Sequence, residues 1–264
     1  MNVLSPAQRK SFFYEGYIIL PSFFSKETTG LVKKMHSDIW DDRPSSLVVD
    51  DLNTGIRSKI SDIPIERLNN RFKYSDLYLL NEQLRNSIAC NAELFTILKE
   101  LMIDIPVLCN TLNLDYGSSQ PIHVDALYMK PASPYNLLAV WVALEDVSLE
   151  SGPLFYVPES HLFEQYVFSN GDTKALEEEM PLWSSYIEKQ IQQWGLKRRN
   201  FLAKEGDVFI WHAYLCHGGS RIFDHSLTRK SMVCHYFTKS DAEKYYPVVD
   251  LNDGGWLQKP SLNV

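Results

Sequence analysis

Three side chains of the types that bind transition metals stand out along the chain. His123 and Asp125 lie two positions apart in the segment QPIHVDALYMKP (120–131), whose pattern predicts a β-strand. Side chains at positions i and i+2 of a strand project from the same face, so the imidazole and the carboxylate would enter one space together. A buried carboxylate is costly unless it is paired or bound to a metal. His217, in WHAYLCHGGS at the end of another predicted strand, is the strongest candidate for a third ligand.

Two histidines and one carboxylate form the facial triad of non-haem Fe(II) oxygenases. The triad takes three positions of an octahedron and leaves three open for a co-substrate and oxygen. A His-x-Asp pair by itself is weak evidence, because an exposed or salt-linked pair has the same pattern. A zinc hydrolase would use similar ligands, so the triad alone leaves that alternative open.

A further element follows His217 in TRKSMVCHYF, where Arg229 and Ser231 are again two positions apart. A guanidinium grips a carboxylate through two parallel hydrogen bonds, and a hydroxyl on the same face can add another. This element suits one end of a dicarboxylate whose other end chelates iron. It favours an iron oxygenase, since a zinc hydrolase leaves the Arg-x-Ser element without a role. The alternative for Arg229 is a surface charge on an edge strand.

The elements that must position these residues begin with helices. Ser5 followed by Pro6 predicts a helix start, and Gly16 predicts its end. YIILP then predicts a short strand, and Ser25 predicts the cap of a second helix that runs to about Ile39. The first part of the chain is therefore expected to be mostly helical.

The predicted secondary structure changes along the rest of the chain. Residues 41–75 are predicted to be loop with short helical pieces, and 84–102 to be two short helices with a break near 91. From about 105 onward, apolar runs of strand length alternate with Gly and Pro, which predicts a core of about eight strands. Residues 172–194 look like a helical insertion interrupted by Pro181. The pattern predicts one domain over 1–264, mainly β with flanking helices. Its 1–104 section is mostly helical, and its core spans 105–240 with a helical insertion at about 163–200.

Composition and charge limit the classes of partner that we expect for this protein. The chain has 264 residues and a net charge of −7, which argues against a nucleic-acid partner. No apolar run approaches the roughly 18 residues of a membrane span, and the N-terminus lacks the organisation of a signal peptide. The cysteines form no CxxC pair and are interpreted as reduced thiols: Cys90, Cys109, Cys216 and Cys234. We therefore expect a cytoplasmic protein without a membrane partner, as a monomer or homodimer.

At this point the sequence resembles a known family. The segments RKSFFYEGYIILPSFFSKE, QPIHVD, NLLAVWVALEDVSLESGPLFYVPESH, KEGDVFIWHAYLCHGGS and TRKSMVCHYF are similar, in this order, to segments of the phytanoyl-CoA dioxygenase family of Fe(II)/2-oxoglutarate oxygenases. The resemblance covers most of the chain outside 40–100 and 163–200. It implies a double-stranded β-helix core, also called a jelly-roll or cupin-like fold. It also implies Fe(II), with 2-oxoglutarate and O2 as co-substrates that become succinate and CO2.

The resemblance also implies roles for individual residues. It makes His123, Asp125 and His217 the iron ligands and the catalytic centre. The remaining residues would bind the co-substrate: Arg229 at its distal carboxylate, Ser231 beside it, and Gln120 and Trp141 at positions where the family often contacts it. Trp141 could equally belong to the core of the barrel.

The same resemblance bears on the reaction. Related halogenases leave the carboxylate position small so that chloride can bind the iron, whereas Asp125 fills it. We therefore expect hydroxylation of an unactivated C–H bond of a small molecule. The alternatives are desaturation, cyclisation or epimerisation in natural-product biosynthesis with the same cofactors, and a catalytically silent jelly-roll binding protein.

The substrate residues are less sharply indicated. GLKRRNF follows the helical insertion, in a region that covers the mouth of the barrel in this fold. Arg198, Arg199 and Lys130 are candidates to meet an anionic group of a small-molecule substrate; the alternative is that this basic run is only a solvated face. His235 shares the strand face of Arg229, so it is expected to line the interior.

Overall fold

The computed structural model describes residues 3–259. None of the helices within this range is both long and apolar enough to cross a membrane. The α-helices are α1 (Pro6–Glu15), α2 (Lys26–Asp42), α3 (Leu77–Leu80), α4 (Glu82–Leu84), α5 (Ala92–Met102), α6 (Met180–Trp194) and α7 (Lys239–Ala242). Single 3₁₀ turns lie at Ile60–Asp62, Ile65–Arg67, Asp125–Leu127, Pro134–Asn136, Ser160–Leu162 and Glu177–Glu179, and a π-helical turn lies at Arg85–Ala89.

The predicted starts of the first two helices and the end of the first are confirmed, whereas α2 runs to Asp42 rather than to about Ile39. The Ser5 hydroxyl accepts a hydrogen bond from the backbone N–H of Gln8 at 3.2 Å, which satisfies one of the free donors at the start of α1. Ser25 caps α2 in the same way. Helix α1 ends at Gly16, whose φ of 85° is the left-handed conformation that glycine adopts at little cost.

Two other helical predictions have different outcomes. The break near residue 91 is confirmed, because the Asn91 side chain accepts a hydrogen bond from Leu94 N at 3.0 Å and caps α5. The interruption of the insertion by Pro181 is wrong. Helix α6 begins at Met180, which places Pro181 in its first turn, where a proline removes no intrahelical hydrogen bond.

The strands form two sheets within the described residues. The larger sheet has the order β1-β9-β6-β11-β5-β4-β2-β3, with β13 on β5 and β12 on β13, and the smaller sheet has the order β10-β7-β8. All pairings are antiparallel except that of β13 with β5. The strands are β1 (Tyr17–Leu20), β2 (Val48–Asp51), β3 (Arg57–Lys59), β4 (Phe72–Ser75), β5 (Pro106–Leu114), β6 (Leu137–Ala143), β7 (Leu154–Tyr156), β8 (Arg199–Phe201), β9 (Val208–His212), β10 (His217–Gly219), β11 (Ser231–Thr238), β12 (Val248–Leu251) and β13 (Gly254–Leu257).

Strand β6 shows how the core is layered. All seven of its residues are buried, so the strand is a continuous apolar run rather than an alternating one. Leu138, Val140 and Val142 pack in one cluster with the helices α1, α2 and α5. Ala139 and Trp141 pack in another cluster with residues of the smaller sheet. The larger sheet therefore carries helices on one face and the second sheet on the other, which confirms the predicted mainly β fold with flanking helices.

The prediction of loop and helical pieces for residues 41–75 is wrong in part. Strands β2, β3 and β4 lie in this segment and extend the larger sheet, with Lys73 to Ser75 of β4 paired to Leu114 to Leu112 of β5. These strands are only three or four residues long, and each depends on a neighbour, β4 on β5, β2 on β4 and β3 on β2, so local propensity does not reveal them.

Candidate metal centre and its cavities

His123 and His217 are joined through their backbones. Each donates its N–H to the carbonyl oxygen of the other, at 2.9 Å in both directions, to form an isolated β-bridge. The bridge ties the segment before Asp125 to strand β10 of the smaller sheet. As a result, the two imidazole rings lie side by side, with their centroids 4.3 Å apart.

The predicted strand across residues 120–131 is wrong. The chain is extended at Val124, but Asp125 opens the 3₁₀ turn Asp125–Leu127. Its carbonyl oxygen accepts hydrogen bonds of 2.9 Å from the N–H groups of both Tyr128 and Met129. The direction of the Asp125 side chain is therefore set by this turn rather than by strand alternation.

The three side chains converge nevertheless. One ligand atom each from His123, Asp125 and His217 lies within 4.8 Å of the others, and all three residues are buried. Asp125 Oδ1 is 3.5 Å from His217 Nε2 and 4.0 Å from His123 Nε2. Two imidazoles and one carboxylate with open space on one side suit a divalent transition metal.

Each ligand is held in the form that a metal requires. The Nδ1 atoms of His123 and His217 lie 2.9 Å from the carbonyl oxygens of Pro121 and Leu215. Because a carbonyl only accepts, Nδ1 carries the proton and the Nε2 lone pair is free. Trp211 Nε1 donates to Asp125 Oδ2 at 2.9 Å, which leaves Oδ1 to face the histidines.

Electrostatics support the same protonation states. Burial, with a further contribution from His217, lowers the pKa of His123 to about 3. Burial would raise the pKa of Asp125, but the neighbouring His217 and His235 outweigh it and hold that pKa well below its usual range. At neutral pH the cluster therefore offers a neutral imidazole and an ionised carboxylate, so metal binding need not displace protons from these groups.

A third histidine lies beside the cluster. His235 Nε2 is 3.5 Å from Asp125 Oδ1, and its Nδ1 is 2.7 Å from Asn110 Oδ1. His235 is not part of the group whose ligand atoms lie within 4.8 Å of one another. It contacts the carboxylate from outside the cluster. As the strand pattern predicts, it faces the interior, where it lines the cavity described next.

A cavity of about 310 Å³ opens at the cluster and reaches Arg229. Arg229 is only 3% exposed, and its Nε has no hydrogen-bond partner in the described part of the chain. The guanidinium lies over the Trp141 ring, 5.6 Å from its centroid. Burial lowers the pKa of Arg229 to about 10, with Glu145 acting in the opposite direction, so the group stays charged at neutral pH.

The hydroxyl of Ser231 is a second polar group without a partner among residues 3–259, and the residue is fully buried. A buried donor left unpaired costs about 1–3 kcal/mol. A carboxylate at the Arg229 end of the cavity would satisfy the guanidinium, so this residue fits the distal end of 2-oxoglutarate, while contact of Ser231 with the co-substrate stays a prediction. Gln120 and Trp141 line the same cavity.

The basic residues predicted to meet the substrate fall in different places. Lys130 lines a second cavity and forms an ion pair with Asp172. Arg198 pairs with Glu188, and Arg199 donates a hydrogen bond of 3.4 Å to the Tyr17 hydroxyl. Arg198 and Arg199 line neither of these two cavities. Contact of the three basic residues with a substrate stays a prediction.

Sequence reasoning missed several residues of the site. Trp211 precedes His212 on β9 and faces the interior, a position that strand alternation from Phe209 indicates. Leu52 reaches the cavity from the turn after β2 and Lys73 from β4, both in the segment predicted as loop. No sequence signal indicates Asn110, which is identified as part of the site only by its contact with His235.

The two packed sheets, the cluster of two histidines and one carboxylate, and the unpaired arginine beside it define an iron- and 2-oxoglutarate-dependent oxygenase. The model of the phytanoyl-CoA dioxygenase (PhyH) family matches residues 13–223, and the chain belongs to this family.

Individual relatives are distant. Phytanoyl-CoA dioxygenase domain-containing protein 1 of Rattus norvegicus is 20% identical over 196 residues, which cover 61% of this chain and 67% of the relative. The non-heme alpha ketoglutarate dependent carbocyclase SnoK from nogalamycin biosynthesis superposes with a TM-score of 0.65 at 17% identity, over 89% of this chain and 85% of SnoK. EctD from S. alaskensis, in a crystal structure with 2-oxoglutarate and 5-hydroxyectoine, has a TM-score of 0.63 at 17% identity, over 90% of this chain and 77% of EctD. These likenesses establish the jelly-roll fold that the sequence resemblance implies.

Proposed function

We propose that this protein hydroxylates an unactivated C–H bond of a small molecule and converts 2-oxoglutarate and O2 to succinate and CO2. The observation that carries the proposal is the shared cavity. Buried Arg229, with its unpaired Nε, lines the same 310 Å³ space as His123, Asp125 and His217. One molecule that chelates iron at one end and presents a carboxylate at the other would occupy that space.

In this function His123 and His217 supply Nε2 and Asp125 supplies a carboxylate oxygen to Fe(II). When bound, iron would supply, with 2-oxoglutarate and O2, the oxidising power needed for a C–H bond. The chain's part is to place the reactants and to exclude water. Arg229 would hold the distal carboxylate through two charge-assisted hydrogen bonds, and Ser231 would donate one more.

Other residues keep the site in order. Trp211 fixes one oxygen of Asp125 through its 2.9 Å hydrogen bond, so the carboxylate cannot turn away from the histidines. Gln120 and Trp141 line the cavity at positions suited to contact the co-substrate. Leu112, Leu154 and other apolar side chains complete the walls and keep the charged groups out of water.

A different oxidative outcome is the second candidate function. SnoK, which has the same fold, is described as a carbocyclase, so this architecture accommodates cyclisation as well as hydroxylation. Desaturation and epimerisation belong to the same group of outcomes. The product separates them, because only hydroxylation adds an oxygen atom to the substrate. A catalytically silent binding protein is less well supported, because the ligand and anchor residues are all present.

The test is to incubate the protein with Fe(II), 2-oxoglutarate, O2 and a metabolite library, and to measure succinate together with product mass. Arg229→Ala should raise the KM for 2-oxoglutarate by about ten- to a hundredfold, the worth of hydrogen bonds to a charged group. The KM of Arg229→Lys should lie between those of the wild type and Arg229→Ala, since lysine keeps the charge but cannot form the paired hydrogen bonds of a guanidinium.

Arg221→Ala is the matched control, because this exposed arginine lines neither cavity. It should leave the KM unchanged. Succinate formation by Arg229→Ala at the wild-type KM would mean that the anchor is wrongly assigned. A product that lacks the added oxygen would replace hydroxylation with the second candidate.

A further inference from the structure

A second cavity, larger than the one at the metal cluster, opens on the other side of Asn110. Its volume is about 490 Å³, within the range of roughly 300–1,000 Å³ that is usual for small-molecule sites. Its walls come from the start of β5, the loop that follows Asp125, the insertion before α6, the segment around α7 and the end of the described chain. No residue of the metal cluster lines it.

The charge of this cavity contrasts with the acidic chain around it. Asp241 is the single acidic residue that lines the cavity. Four lysines line it as well: Lys130, Lys174, Lys244 and Lys259. Three of these lysines already have a carboxylate partner. Lys174 is exposed, and its ammonium group has no such partner among residues 3–259. The cavity therefore retains a positive charge in a protein whose net charge is −7.

Aromatic side chains surround the same space. Tyr128, Tyr245 and Tyr246 line the cavity and are 41–54% exposed. A half-exposed tyrosine offers an apolar ring and a hydroxyl to a ligand, so these residues suit a molecule with a flat or apolar body. Tyr245 is held in place by stacking on Phe237, with the ring centroids 5.6 Å apart.

Two contacts in series connect the cavity to the metal cluster. Asn110 lines it and contacts His235 at 2.7 Å, and His235 in turn contacts Asp125. Met129 and Tyr128 form another part of the boundary, and both backbones donate to the carbonyl of Asp125. A ligand that reaches Asn110 would therefore lie two side-chain contacts from the metal ligand Asp125.

The insertion before α6 is hydrogen-bonded to the turn at this boundary. Ala175 N donates to the carbonyl of Leu127 at 3.0 Å, in the turn that begins with Asp125. This bond places Lys174 at the wall of the cavity. The same insertion separates two core strands, so its sequence can change the cavity without changing the metal cluster.

We propose that this cavity is the substrate site and that it selects a small organic anion, a carboxylate or a phosphate ester. The anionic group would lie among the lysines, the body against the tyrosines, and the end to be oxidised at Asn110 and Met129. The assignment of the cavity as a substrate site rests on the proposed function. The selection of an anion by the cavity does not.

The experiment uses metal-free, full-length protein, so its result does not depend on catalysis. The probe is 8-anilinonaphthalene-1-sulfonate, whose binding is followed by fluorescence. The comparison probe is N-phenyl-1-naphthylamine, which has the same rings without the sulfonate. We expect one saturable sulfonate site. Lys174→Gln should weaken it about threefold, and the Lys130→Gln/Lys174→Gln double variant about tenfold. Affinity for the neutral probe should change less than about twofold, since the apolar contacts are kept.

Two variants serve as controls. Lys34→Gln removes an exposed lysine of α2 that lines neither cavity, and it should leave both probes unaffected. Arg229→Ala should also leave sulfonate binding unchanged. If Arg229→Ala weakens the sulfonate and the lysine variants do not, the probe occupies the smaller cavity and the proposal is wrong. Equal weakening of both probes by the lysine variants would reduce the site to an apolar surface and would also overturn it.

The substrate role has its own arm. Carboxylates and phosphate monoesters that displace the sulfonate should be the compounds that drive succinate formation in the library assay. Succinate formation driven only by neutral or cationic compounds would overturn the anionic substrate class. Failure of the proposed oxygenase function is distinguishable, because no compound would then yield succinate while sulfonate binding remained intact.

Discussion

Asn110 Oδ1 lies 2.7 Å from His235 Nδ1, and the opposite nitrogen of that imidazole lies 3.5 Å from Asp125 Oδ1. These contacts connect the wall of the larger cavity to the carboxylate of the metal cluster. His235 stands outside the cluster but restrains one of its members. Side chains that hold a metal ligand in place affect the metal almost as strongly as the ligands themselves.

His235→Leu should weaken metal binding about tenfold, because the Asp125 carboxylate loses a polar neighbour and gains freedom to turn. The affinity for Co(II) can be measured by competition with a chromophoric chelator. His225→Leu is the control, since His225 is exposed and lines neither cavity. Equal Co(II) affinity in the His235→Leu variant and the wild type would show that His235 does not position the carboxylate.

Stability of the metal-free protein should fall as the solution is acidified from pH 6.5 toward pH 4. Burial lowers the pKa of both His123 and His212 to about 3, whereas an unfolded histidine titrates near 6.5. Below pH 6.5 the unfolded chain therefore binds more protons than the folded one. Each of the two histidines contributes a loss of about 1.4 kcal/mol per pH unit in the free energy of unfolding.

Urea denaturation at intervals between pH 4.5 and 6 measures this slope, in a window above the range where most carboxylates titrate. His212→Phe should reduce the slope by about 1.4 kcal/mol per pH unit, whatever its effect on absolute stability. His225→Phe should leave the slope as it is. An unchanged slope in His212→Phe would mean that His212 takes up a proton in the folded state.

Gly206→Ala should destabilise the protein strongly. Gly206 has a φ of +89°, and a Cβ there would lie 2.1 Å from the carbonyl oxygen of Phe24. Gly55 has a similar φ of +73° with no atom within 4 Å of the added carbon, so Gly55→Ala bears only the backbone cost of about 1–2 kcal/mol. Gly206→Ala should exceed that cost by at least about 2 kcal/mol in urea denaturation, because backbone must move. Equal losses in the two variants would contradict the predicted collision.

The sequence determined the parts of this protein that depend on residue type and on short spacing. His123, Asp125 and His217 are metal-binding types whatever the fold, and the types and spacing of Arg229 and Ser231 predict an anion-binding element. Helix ends are similarly local. Ser5 and Gly16 act on backbone groups within a few residues, so capping rules located them without tertiary information.

Only the tertiary structure decided how these parts meet. Asp125 enters the site from a turn rather than a strand, because the N–H groups of Tyr128 and Met129 bond to its carbonyl oxygen and close the chain into a turn there. Strand β4 forms against β5, and β2 and β3 extend the sheet from β4; their own sequences do not specify these partners. Asn110 joins His235 from a neighbouring strand, and the larger cavity gathers lysines from four separate segments. Such contacts depend on pairing and packing between distant parts of the chain, which local sequence patterns do not encode.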